Sequence, residues 1–123
     1  MTVRLNNPYV KHVTATDELS RVFSALADPT RRDIVARLGE TDATVGELAA
    51  PYDISLPAVS RHLRVLQEAG LVTRTTQAQW RTNHLRAEPL REAVDWIDHV
   101  TTVWSARLDR LDSHLKEHLK EHR

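Results

Sequence analysis

The sequence predicts a mainly α fold with a small two-stranded hairpin and a long last helix. Apolar residues recur at helical spacing over most of the chain, one stretch between Leu71 and Leu85 reads as paired strands, and no helix breaker interrupts the run that opens at Glu88. Asp17 to Leu26 sets Leu19, Val22, Phe23 and Leu26 on one face, as a half-buried helix requires. Asp28-Pro29 is an N-cap followed by proline at the first helical position, and Ile34, Val35 and Leu38 form the apolar face of a second helix that Gly39 is expected to close. Thr44 with Glu47 has the spacing of a capping box and opens a brief helix through Val45, Leu48 and Ala49, which Pro51 ends. After the turn Pro51-Tyr52-Asp53-Ile54, Ser55 caps a helix from Leu56 to Ala69, with Gly70 at its C-terminal cap and Val59, Leu63 and Leu66 as its buried stripe. Leu71–Thr76 and Trp80–Leu85 are the expected strands, joined by Gln77-Ala78-Gln79. From Glu88 onward Leu90, Val94, Ile97, Thr101, Trp104, Leu108, Leu111 and Leu115 advance by alternating steps of four and three, a heptad seam. A helix of some thirty residues is roughly 45 Å long, more than so small a fold needs, so it is expected to pack on a partner chain.

With 123 residues the chain has room for one domain. That domain is expected to span 1–123, with an arm at 1–16, paired helices at 44–69, the hairpin at 71–85 and the partner-facing helix at 88–120. Apolar residues make up 41% and charged ones 28%, a globular balance. A monomer this small hides only about two-thirds of its unfolded surface, which favours association. No run of about 18 apolar residues and no basic-then-apolar leader is present, so the expectation is a cytoplasmic protein with no membrane partner. The absence of cysteine excludes disulfides, thiolate nucleophiles and cysteine-ligated metals. No Gly-rich phosphate loop and no carboxylate pair with a positioned base stands out, which makes an enzyme the weakest class.

Lys+Arg and Asp+Glu balance at 17 each, but not locally. Residues 1–54 carry 6 basic and 8 acidic side chains, and residues 87–123 carry 6 and 8. Between them, residues 55–86 hold Arg61, Arg64, Arg74, Arg81 and Arg86 against the lone acid Glu68, a balance of +4 in 32 residues. That stretch invites a polyanion. Two helices joined by a four-residue turn, the second with Ser and Arg outward, describe a helix-turn-helix, and the following hairpin supplies a wing. An α-helix fits the major groove, arginine pairs with guanine or phosphate, and serine bonds either.

The residues themselves carry a resemblance. Leu26-Ala27-Asp28-Pro29-Thr30-Arg31-Arg32, Val45-Gly46-Glu47-Leu48-Ala49, Ser55-Leu56-Pro57-Ala58-Val59-Ser60-Arg61-His62-Leu63-Arg64-Val65-Leu66 and Glu68-Ala69-Gly70-Leu71-Val72 resemble the ArsR/SmtB family of winged helix-turn-helix repressors, over residues 17 to about 115. The resemblance implies a homodimer formed through the first and last helices, recognition helices in successive major grooves of double-stranded DNA, and wings on the flanking backbone. It maps Ser55, Pro57, Ala58, Ser60, Arg61 and Arg64 to the DNA-facing part of the recognition helix, and Arg74 and Arg81 to the wing. His62 joins this set either as a phosphate contact or as a packing residue. The tip Gln77-Ala78-Gln79 lacks the Gly and basic residues usual in the family, so tip insertion into the minor groove is not implied. The dimer interface falls on Leu19, Val22, Leu90, Val94, Ile97, Thr101, Trp104, Leu108 and Leu111.

Many members of the family release DNA on binding a metal, and here the cysteine class is ruled out. The alternative set for zinc or nickel is Asp95 with His99, and His114 with His118 and His122, each spaced to share a helical face. The familiar Asp-x-His pattern is not reproduced, since Ile97 stands two before His99, and a solvated helix end is the preferred reading. Trp80, Trp96 and Trp104 are read as core or interface ahead of a ligand pocket. The expected function is a sequence-specific DNA-binding regulator, a homodimeric repressor of a palindromic operator. The competing readings are a protein-interaction module built on the long helix and a metal-responsive repressor.

Overall fold

The computed structural model describes residues 17–77 and 79–121; the expected arm at 1–16, Ala78 at the hairpin tip and His122 lie outside the described residues. The elements are α1 (Glu18–Leu26), α2 (Pro29–Glu40), β1 (Ala43–Thr44), α3 (Val45–Ala49), α4 (Leu56–Glu68), β2 (Val72–Gln77), β3 (Trp80–Leu85) and α5 (Glu88–Glu121). The chain divides into two compact units, one ending at Arg91 and the other starting at Glu92, within α5.

Four helices start where short polar side chains satisfy their free N–H groups. Asp17 accepts from the Ser20 N–H at 2.7 Å, Asp28 from Arg31 at 3.0 Å and Ser55 from Ala58 at 3.3 Å. Thr44 and Glu47 complete a reciprocal capping box at 3.2 and 3.1 Å. At the other end of α1, arginines do the corresponding work. Arg31 donates to the carbonyls of Ala25 and Ser24 at 2.6 and 3.2 Å, and Arg32 donates to that of Leu26 at 2.8 Å. Two residues therefore suffice between α1 and α2, because the caps of both helices lie within Asp28-Pro29-Thr30-Arg31-Arg32. α4 ends in a Schellman motif, in which Leu71 donates to Leu66 at 2.9 Å and Gly70 to Gln67 at 3.0 Å. Gly70 has φ +77°, a left-handed conformation open to glycine at little cost.

One expectation is corrected. Gly39 does not close α2, which runs on through Glu40 to an extended Thr41 at φ −159°. The chain passes directly from there into a strand and has no left-handed turn for a glycine to make. The expected two-stranded hairpin forms as β2 and β3, and β1 adds a short third strand in the order β1-β3-β2, all antiparallel, with Ala43 opposite Asn83 and Val72 opposite Leu85. Two residues of β1 are too few to show alternation.

The first unit is built around buried Val22, Ala25, Ile34, Val35, Leu38, Leu48, Val59, Leu63, Leu66, Leu71 and Val72. Val22, assigned on sequence to the partner-facing set, is 1% exposed and belongs to the chain's own core. Leu19 and Leu90 are half-buried. In α5, Ala93 is buried, while Val94, Ile97, Trp104, Leu108, Leu111, Leu115 and Leu119 are exposed, as is Thr101.

Asp28 yields a pH prediction. The Arg31 N–H, aided by the nearby His62 and Arg31 charges, holds its carboxyl below the ordinary aspartate value of 3.8. A depressed folded-state pKa contributes stability above that value and loses it as pH falls through the folded one. Asp28→Asn keeps an acceptor at the cap but cannot titrate. The urea-midpoint gap between parent and variant is expected to be widest near neutrality and to shrink as pH is lowered through 3.8; a gap unchanged over that range contradicts the assignment.

Candidate nucleic-acid interface

The burial of α4 sets what it can present. Val59, Leu63 and Leu66 are sealed at 2% exposure or less, which turns Pro57, Ser60, Arg61 and Arg64 outward as one stripe. Ser55 at the cap is also exposed, and Ala58 is half-buried. Arg61 and Arg64 form no hydrogen bond or ion pair among the described residues. An unpaired, exposed guanidinium pair on the outward face of a helix suits a polyanion.

The turn into this helix is anchored to α2. Arg37 donates to the carbonyls of Leu48 and Glu47 at 2.8 and 3.0 Å and lies 5.4 Å from the centre of the Tyr52 ring. The Tyr52 hydroxyl donates to Asp33. Burial, followed by that contact with Asp33, raises the hydroxyl's pKa. His62 is half-buried and points back from the outward stripe: its Nδ1 lies 3.4 Å from Arg31 Nη1 and 3.9 Å from Asp28 Oδ2. Of its two sequence readings, this geometry matches the packing one.

The wing has two unlike faces. Arg74 pairs with Asn83 and Thr76 with Arg81, so Arg74, Arg81 and Asn83 share the inner face with buried Val72. A cleft of about 120 Å³ there is lined by Val45, Ser60, Leu63, Arg74, Arg81 and Asn83. Asn83 is 2% exposed; its Nδ2 donates to the Ala43 carbonyl at 3.2 Å, while its Oδ1 has no partner among the described residues. With the Gln67 amide turned oxygen-first, Arg74 Nε and Nη2 donate to it at 3.3 and 3.1 Å. On the outer face His84 contacts Asp42 at 2.8 Å and Thr75 at 2.7 Å. Asn83 and the Gln67–Arg74 contact were not singled out from sequence, and only the strand register reveals them.

The metal candidates remain pairs. Asp95 and His99 share one face of α5, as do His114 and His118, but among the described residues no three His, Asp or Glu side chains come together. A zinc centre takes at least three protein ligands. Trp80, Trp96 and Trp104 are 67%, 50% and 54% exposed, so none is a core residue of the single chain. Among the described residues no helix is long and apolar enough to cross a membrane.

A family profile described as a helix-turn-helix domain matches residues 26–75. The chain is 33% identical over 79 residues to the transcriptional repressor SdpR of Bacillus subtilis, covering 64% of this chain and 88% of that protein. Among solved structures it is similar to one described as an ArsR family transcriptional regulator, with a TM-score of 0.68 and 36% identity over 72% of this chain and 98% of the other. A second, an ArsR-like transcriptional regulator from Rhodococcus sp. RHA1, has a TM-score of 0.67 and 30% identity over 76% and 89%. A capped, outward-basic second helix, a wing folded beside it and these likenesses agree: the chain belongs to the ArsR family of winged helix-turn-helix proteins and is a DNA-binding transcriptional repressor.

Proposed function

We propose that this repressor acts as a homodimer on a palindromic operator and blocks transcription by occupying it. The observation that carries the reading is the outward stripe of α4, where Ser60, Arg61 and Arg64 stand exposed over a sealed apolar stripe. In this reading Arg61 and Arg64 meet base edges or phosphates in the major groove, Ser55 and Ser60 bond phosphate, and Pro57 and Ala58 allow close approach. His62 positions α4 against α2. The exposed seam of α5, Val94, Ile97, Thr101, Trp104, Leu108 and Leu111, supplies the contact with a second copy, and half-buried Leu19 and Leu90 are further residues of that contact in this reading. Its activity is binding, without turnover, and its place is the cytoplasm with the DNA.

Fluorescence anisotropy on the DNA upstream of the protein's own gene, with excess nonspecific competitor at two salt concentrations, tests the reading. Binding that survives competitor, weakens steeply with salt and saturates at two protomers per site is expected. Saturation at one protomer overturns the dimer. Loss of all binding to competitor overturns this DNA as the operator.

A further inference from the structure

The two wing arginines occupy the same sheet face but different chemical situations. Arg74 is tied through both Nε and Nη2 to Gln67, which lies in the last turn of α4. Arg81 makes no hydrogen bond or ion pair among the described residues; it lines the same cleft as Arg74, with Ser60 and Leu63 of α4, and stands two residues nearer the hairpin tip than the Arg74–Asn83 pair. Recognition helices enter the groove by their N-terminal half. The Arg74 guanidinium is held to the last turn of α4, while that of Arg81, nearer the hairpin tip, is unpaired among the described residues. A planar guanidinium with two donors on one amide oxygen also fixes direction in a way a single donor does not.

We propose that Arg74 is a positioning residue, which clasps the wing to the recognition helix through Gln67, and that Arg81 is the wing's phosphate contact. This rests on the reading of α4 as the recognition helix. The clasp sets the separation between Arg81 and the α4 stripe, so that both reach the duplex together. The buried Asn83, bonded to Ala43, holds β3 to β1 and keeps Arg81 on the same inner face.

The test uses a duplex selected from a random-sequence library by the full-length parent protein, with affinity measured across a salt series. Failure to select any duplex would strike the recognition-helix reading itself. Given a duplex, Arg81→Ala is expected to weaken binding and to lower the slope of log affinity against log salt by about 0.9 for each Arg81 lost from a phosphate. Arg74→Ala is expected to weaken binding by about tenfold with the slope unchanged. Gln67→Ala should match it, and the double variant should be no weaker than either single one. Arg74→Lys, which keeps the charge but loses the fork, should bind nearly as weakly as Arg74→Ala. A slope lowered by Arg74→Ala, or full affinity in Arg74→Lys, makes Arg74 a phosphate contact and overturns the proposal. So does additivity of the Gln67 and Arg74 losses, or an unchanged slope in Arg81→Ala. Thermal melts followed by circular dichroism identify any variant that fails to fold, and Gln67→Ala then carries the test alone.

Discussion

Replacing Arg61 and Arg64 together by alanine is expected to weaken operator binding by about a hundredfold or more, since a well-made arginine contact to a base is worth about 1–3 kcal/mol. Both side chains are exposed and unpaired among the described residues. Their loss should therefore leave folding stability within about 0.5 kcal/mol of the parent, as is usual for surface changes. Melting curves and anisotropy on the same preparations separate the two effects. An unstable variant would mean these arginines hold the fold, and unchanged affinity would mean the outward stripe of α4 does not meet DNA. Variants carrying one change apiece refine the assignment. A base contact relaxes preference at one position, whereas a phosphate contact weakens all sequences alike and flattens the salt dependence.

The second large effect is expected on the seam of α5. Leu108 and Leu111 are 45% and 54% exposed in the single chain, midway along the apolar run of a 34-residue helix. Leu108→Glu with Leu111→Glu places four carboxylates in the proposed two-chain contact, and burying unpaired charge is strongly unfavourable. Glutamate forms helix well, so the helix itself is not the target of the change. Sedimentation equilibrium should show a dimer for the parent and a monomer for the variant. Operator affinity should fall by about a hundredfold or more, because two half-sites no longer act on one particle. A variant that remains a dimer would place the association elsewhere.

Legibility followed range along the chain. Asp17, Asp28, Thr44 with Glu47, and Ser55 announced their helices because a cap and the N–H it bonds lie three residues apart. The outward stripe of α4 was legible for a related reason: once Val59, Leu63 and Leu66 are assigned inward, helical geometry leaves Ser60, Arg61 and Arg64 outside. Gly39 misled because glycine ends a helix only where the chain turns left-handed, and Thr41 instead extends into β1. β1 itself depends on a partner forty residues away, Asn83 opposite Ala43, which no local period records. Arg74 and Arg81 were named as wing residues, but their different roles follow from the pairing register and from Gln67 on another element. Arg31, Arg32 and Arg37 read in sequence as part of the charge balance. In the fold their guanidiniums bond the carbonyls that end α1 and α3. Val22, assigned from its helical spacing to a partner-facing set, belonged to a core that only the packed helices define.

The most direct test of the central claim is selection of duplexes from a random-sequence library by the purified full-length protein, read by sequencing. Enrichment of two inverted half-sites with centres about one helical turn, 10–10.5 base pairs, apart is the result expected of a two-fold symmetric pair of recognition helices. Enrichment of no sequence, or of a single half-site without its inverted mate, would contradict a dimeric repressor reading its operator through α4.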